Sequence, residues 1–136
     1  MDTDALKREI LKNAREVTRL HRRVHETFEA RGRNRASHDA WSAACAEFHS
    51  QYNKLAFPGG YEGAETRIVD GEPCSIEAAL CFLELRPYFF RSGYMYKSLL
   101  RKMKRAVLTQ EQLERLAVVL ARAEEWRRRK AAAHEI

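Results

Sequence analysis

Residues that break helices are few in this chain and sit in a handful of places, which limits the fold more than any other feature. Gly32 stands alone before Pro58; Pro58-Gly59-Gly60, Gly63, Gly71, Pro73, Pro87 and Gly93 follow, and neither residue type recurs after Gly93. Three prolines and six glycines are too few for the many turns of an all-β fold. The intervals between them carry apolar residues at helical spacing. The reading is an all-α, single-domain bundle of about five helices with a long N-terminal helix, and 136 residues suit one core.

The first helix is expected over about residues 3–31, with Leu6, Ile10, Val17, Leu20, Val24 and Phe28 on one face and Lys7, Arg8, Lys12, Arg15, Arg19, Arg22 and Arg23 on the other. At ~1.5 Å per residue it is about 40 Å long, so part of it is free to project or to pair with another chain. Gly32 suits a left-handed cap. Ser37 is the expected N-cap of a second helix reaching Ala56, with Trp41, Ala44, Cys45, Phe48, Tyr52 and Leu55 inward.

Residues 57–74 read as a loop with a short helix between Glu62 and Val69, closed by Gly71. Ser75 is the expected cap of a third helix that Pro87 ends near Arg86. Tyr88-Phe89-Phe90 reads as a buried turn, and Ser92-Gly93 opens a fourth helix over Tyr94–Arg105. Thr109-Gln110-Glu111-Gln112 has the pattern of a capping box and starts a fifth helix to about Lys130, after which Ala131–Ile136 are expected to fray. No internal repeat is visible.

Charge is distributed unevenly. Residues 1–35 hold ten Lys/Arg against six Asp/Glu, residues 36–90 three against eight, and residues 91–136 twelve against five. The basic ends and acidic middle suit docking of the chain on itself, on a second copy or on a nucleic acid. Three cysteines (Cys45, Cys74, Cys81) form no C-x-x-C pair, and no run approaches the ~18–20 apolar residues of a membrane span. With no apolar leader after Met1, the reading is a reduced, cytoplasmic protein with buried thiols and no membrane association.

No motif for a cofactor or metal emerges. His21 and His25 share a helix face, but Arg22, Arg23 and Val24 separate them and the inner Glu of a metalloprotease helix is absent. The Gly59–Gly63 loop lacks the Lys and Ser/Thr of a phosphate-binding loop, so helix termination explains its glycines. Cys45 and His49, four apart, are the one conceivable nucleophile–base pair. Glu77 and Glu84 read as solvated.

Tyr88, Phe89 and Phe90 precede the best binding candidates: Arg91, Tyr94, Tyr96, Lys97, Arg101, Lys102, Lys104 and Arg105, joined by Arg33 and Arg35 in the first turn. Arginines beside aromatic rings neutralise phosphates and stack bases. Three functions are compatible with this pattern. A non-catalytic interaction module, self-associating or adaptor-like, asks least of the sequence. Nucleic-acid binding through 31–35, 101–105 and 127–130 requires those clusters to share a face. An enzyme with a site near Cys45, His49 and the Gly59–Gly63 loop requires a pocket that holds them.

Overall fold

In the computed structural model, which describes residues 2–134, the chain is all-α, and no strand occurs among those residues. Six helices follow in order: α1 (Thr3–Phe28), α2 (Arg35–Ala56), α3 (Ala64–Val69), α4 (Pro73–Leu85), α5 (Ser92–Arg105) and α6 (Gln110–His134). The one beyond the expected five is α3, the short helix expected inside 57–74.

The shortest route into the core is α4. Its Ile76, Ala78, Ala79, Leu80, Cys81, Phe82 and Leu83 are all buried, so it is apolar around its whole circumference and needs neighbours on every side. It packs against α1, α3, α5 and α6, while α2 lies chiefly on α1. Ile10, Ala14 and Val17 of α1, Met95, Leu99 and Met103 of α5, and Leu116 and Val119 of α6 complete the core with Phe57, Ile68 and Phe89. Contacts fix the directions: Thr3 and Lys7 of α1 meet Glu77 and Glu84 of α4, so those two helices run in parallel. Phe28 meets Trp41 and His21 meets Phe48, so α1 and α2 form an antiparallel hairpin.

The helix ends differ from the sequence reading in instructive ways. The first helix stops at Phe28 instead of near Arg31, and Gly32 does not adopt a left-handed conformation. Arg31 folds back instead: its guanidinium lies 3.5 Å from the Phe28 ring centre and donates to the Phe28 carbonyl, capping the helix from the side chain. Asn34, not Ser37, caps α2, its Oδ1 accepting from the Ser37 amide at 2.8 Å. Pro73 takes the first helical position of α4, leaving Ser75 buried within the helix, between Arg67 and Glu72. Ser92 is itself the first residue of α5, and its hydroxyl accepts from the Phe89 amide. The capping box at α6 forms as read: the Thr109 amide donates to Gln112 and the Gln112 amide to the Thr109 hydroxyl. That helix continues through Ala131–His134, where fraying was expected; Glu135 and Ile136 lie outside the described residues.

Side-chain locks hold the elements in register. Arg115 of α6 donates to both Glu77 oxygens at 2.9 and 2.8 Å and to Glu84 at 2.6 Å, with Lys7 of α1 3.4 Å from Glu84. Glu77 and Glu84, expected to be solvated, are the half-buried centre of a four-residue clamp between α1, α4 and α6. Burial pushes the Glu77 and Glu84 carboxyls up, but hydrogen bonds (Thr3 and Arg115 to Glu77, Arg115 to Glu84) and the Arg115 charge outweigh it and hold both below the usual range. Arg67 organises the 57–74 segment, donating to the carbonyls of Gly60 and Glu62 and to the Ser75 hydroxyl.

Candidate nucleic-acid interface

The turn that joins α4 to α5 positions the surface of interest. Arg86 ends α4 in a left-handed conformation (φ 48°), Pro87 is buried, and Arg91 enters α5 in a second left-handed residue (φ 66°). The turn was read as buried throughout, yet only its central ring is: Phe89 is 6% exposed, Phe90 39% and Tyr88 94%. Phe89 fills the core against Phe82, whereas Phe90 leans on α1, stacked on His21 at 4.5 Å, and its carbonyl accepts from the Tyr52 hydroxyl at 2.7 Å. Both anchors fix Tyr88 and Arg91 on the surface between them.

From this turn α5 carries the basic residues outward. With ~100° between successive residues, Tyr94, Lys97, Arg101, Lys104 and Arg105 fall within about 100° of arc, opposite Met95, Leu99 and Met103. All five are exposed. No Asp or Glu occurs between Glu84 and Glu111, a stretch that holds Arg86, Arg91, Lys97, Arg101, Lys102, Lys104 and Arg105. None of those cations takes part in an ion pair among the described residues. This acid-free interval was legible from the sequence as a gap in the carboxylates; counting charges over longer segments hides it.

Two candidates drop out of the surface. Tyr96, read as a binding tyrosine, is buried at 7% exposure, with the Arg86 guanidinium 4.3 Å over its ring. It cannot stack a base. Lys102 is half-buried; burial pushes the Glu65 carboxyl up, but hydrogen bonds from Ser98 and Tyr61, with the charges of Lys102 and of Arg101, outweigh it and lower it.

The three basic clusters differ in how much of their charge is left without an ion-pair partner among the described residues. Arg33 and Arg35 sit at the tip of the α1–α2 hairpin, remote along α1 from its contacts with α4, and Arg35 lies 3.4 Å from Asp39. Arg127–Lys130 belong to the outer part of α6, where Arg128 and Arg129 pair with Glu124 and Glu125 and Lys130 lies over Trp126. Helical i,i+4 pairing therefore consumes much of that cluster's charge.

A second basic surface flanks the turn. Leu11, Ala14, Arg15, Thr18, Arg19 and Arg22 of α1 face Pro87 and Tyr88 across a groove of about 440 Å³. No carboxylate lines it among the described residues.

The nucleophile–base pair of the catalytic alternative lies outside both concavities. A smaller concavity of about 290 Å³, beside Gly59, Arg67 and Glu72, includes neither Cys45 nor His49, and neither does the larger groove. His49 is exposed and Cys45 half-buried. The glycine loop turns carbonyls, not amides, toward its centre, and the Arg67 guanidinium fills it, which is the opposite of a phosphate cradle. His21 stacks edge-on with His25 at 4.6 Å; no group of three His, Cys, Asp or Glu side chains suited to a metal occurs among the described residues. The thiols are unlike one another: Cys81 is buried and pushed up to about 11 by burial and by Glu77, whereas Cys74, expected to be buried, is exposed. Among the described residues no helix is long and apolar enough to cross a membrane.

Comparison with protein-family models, curated proteins and solved structures finds no match, so the surface chemistry alone carries the functional conclusion.

Proposed function

We propose that the protein is a non-catalytic binding module of the cytoplasm whose ligand is a polyanion, single-stranded nucleic acid. The observation that carries this reading is the outer face of α5, a helix with no carboxylate of its own, which begins at an exposed tyrosine and continues through Lys97, Arg101, Lys104 and Arg105. Unpaired guanidinium and ammonium groups along one line neutralise a phosphate backbone. Tyr88 and Tyr94, 94% and 77% exposed, supply ring faces for bases that a duplex keeps stacked inside.

The reading as a protein-interaction or self-associating module has less to support it than the sequence suggested. Its motives were the apolar stripe of the long first helix and the acidic middle facing basic ends; Ile10, Val17 and Leu20 of that stripe are buried within the fold, while Phe28 at its end stays 46% exposed. A second copy or a protein partner becomes the preferred reading only if nucleic acid fails.

The test compares binding of single-stranded and duplex oligonucleotides to the wild type and to Tyr88→Ala/Tyr94→Ala. Single strands are expected to bind more tightly, and the double substitution to weaken them about tenfold with little effect on duplex. Equal affinity for both forms, unaltered by the substitutions, refutes the stacking role. No binding of either form returns the choice to a protein partner.

A further inference from the structure

We propose that the groove between α1 and the α4–α5 turn is a subsite for a nucleotide that shares Tyr88 with the α5 interface, holding its phosphate on Arg15 and Arg22 and its base on Tyr88. The strand-end form of this proposal rests on the nucleic-acid reading; the free-nucleotide form does not.

Arg15, Arg19 and Arg22 recur at i, i+4 and i+7, which sets them on one side of α1 over about 10 Å of axis. Like charges so close repel, and a fold that needed only solubility would intersperse carboxylates. Arg19 has such a partner: Glu16 accepts from its Nε at 2.9 Å and from its Nη2 at 2.6 Å. Arg15 and Arg22 have no ion-pair partner among the described residues. Glu16 also restrains Arg19 between them, so the outer two guanidiniums keep their donors for a ligand. Two free forks on the α1 wall of the groove match a phosphate bearing two charges, as a terminal phosphate does.

The remaining walls select what is attached to that phosphate. Leu11, Ala14 and Pro87 are apolar, and the Thr18 hydroxyl is engaged by the Ala14 carbonyl at 2.9 Å. Tyr88 presents an almost wholly exposed ring at the same edge, on a backbone that Pro87 and the Phe90–His21 stack hold in place. A volume of about 440 Å³ is in the range of small-molecule sites and admits a nucleotide. Phosphate at the arginines and base on the tyrosine satisfy both halves of the groove, which neither inorganic phosphate nor an uncharged aromatic compound does.

The experiment titrates the full chain with adenosine monophosphate, adenosine and inorganic phosphate by calorimetry, and separately with short oligonucleotides ending in a phosphate or a hydroxyl. Adenosine monophosphate, or the phosphate-ended strand, is expected to bind at least tenfold more tightly than its counterpart lacking the phosphate. Arg15→Gln/Arg22→Gln should abolish that preference, and Tyr88→Ala should weaken binding about fivefold while Tyr88→Phe restores it. Replacing Lys97, Arg101, Lys104 and Arg105 by Gln should leave adenosine monophosphate binding intact, which separates failure of this subsite from failure of the α5 interface. A preference confined to adenosine monophosphate assigns a free nucleotide, and one shared with the phosphate-ended strand assigns a strand terminus. The proposal is overturned if neither preference exists, if inorganic phosphate binds as well as adenosine monophosphate, or if Arg15→Gln/Arg22→Gln changes nothing while melting as wild type.

Discussion

Two residues show how neighbouring rings and charges tune this protein. His21 lies between Phe48, His25 and Phe90, and burial, with the His25 charge added, lowers its pKa from the ordinary 6.5. A depressed histidine stabilises the fold above its unfolded value and loses that contribution as pH falls through the lower folded value. Stability should therefore decline as the solution is acidified below about 6.5, and His21→Gln should flatten that part of the profile. An unchanged profile in urea titrations across that range would contradict the assignment. Arg115 makes the opposite kind of contact, a guanidinium shared by two carboxylates. Arg115→Met strips Glu77 and Glu84 of their main counter-charge and should cost about 3 kcal/mol in denaturant melts. Both carboxyls sit below their ordinary 4.5, so the clamp contributes fully above that pH and fails as pH drops through the lower folded values. The variant should lack this acid-dependent loss.

At the scale of elements, the glycine loop and α6 carry distinct constraints. Gly60 and Gly63 have φ of +90° and +78°, and a Cβ on Gly60 would come 3.2 Å from the Asn53 amide nitrogen. Gly60→Ala should cost about 1–2 kcal/mol, read as a shift in the thermal midpoint. The outer half of α6 depends on a sandwich: Arg86 lies 4.3 Å from the Tyr96 ring centre and 4.4 Å from that of Trp126. Trp126→Ala should speed amide exchange over residues 124–134 while leaving Leu116 and Val119 protected, since among the described residues nothing beyond Ala123 is buried. Helix identity was legible because apolar periodicity and the breakers agree: the capping box, the Pro87 stop and the inward face of α5 are all where the residues put them. The starts of α2 and α4 were not, because Asn34 and Pro73 stand two or three residues before Ser37 and Ser75, which are equally suited to open a helix. Tyr96 was misplaced for a related reason. It stands at the edge of the inward arc of α5, and a distant guanidinium, not local pattern, draws it inside.

Over the whole molecule, folding spends the acidic middle of the chain on its own basic ends. Glu77 and Glu84 take Arg115 and Lys7 and Glu47 takes Arg23, whereas Glu72 lies 3.7 Å from Arg67 within the middle itself. The positive charge left over is concentrated where carboxylates are missing, from the α4–α5 turn along α5, with the arginine groove of α1 beside that turn. Such a residue of uncompensated charge was invisible to segment totals because it depends on which ions pair after folding. A face that neutralises phosphates must bind single-stranded oligonucleotides with an affinity that depends on salt. With Lys97, Arg101, Lys104 and Arg105 engaged, the logarithm of the affinity should fall against the logarithm of salt with a slope of about −3. Replacing all four by Gln should reduce that slope to near zero. A wild-type affinity indifferent to salt, or a slope that survives the four substitutions, would contradict the assignment of α5 as the binding face.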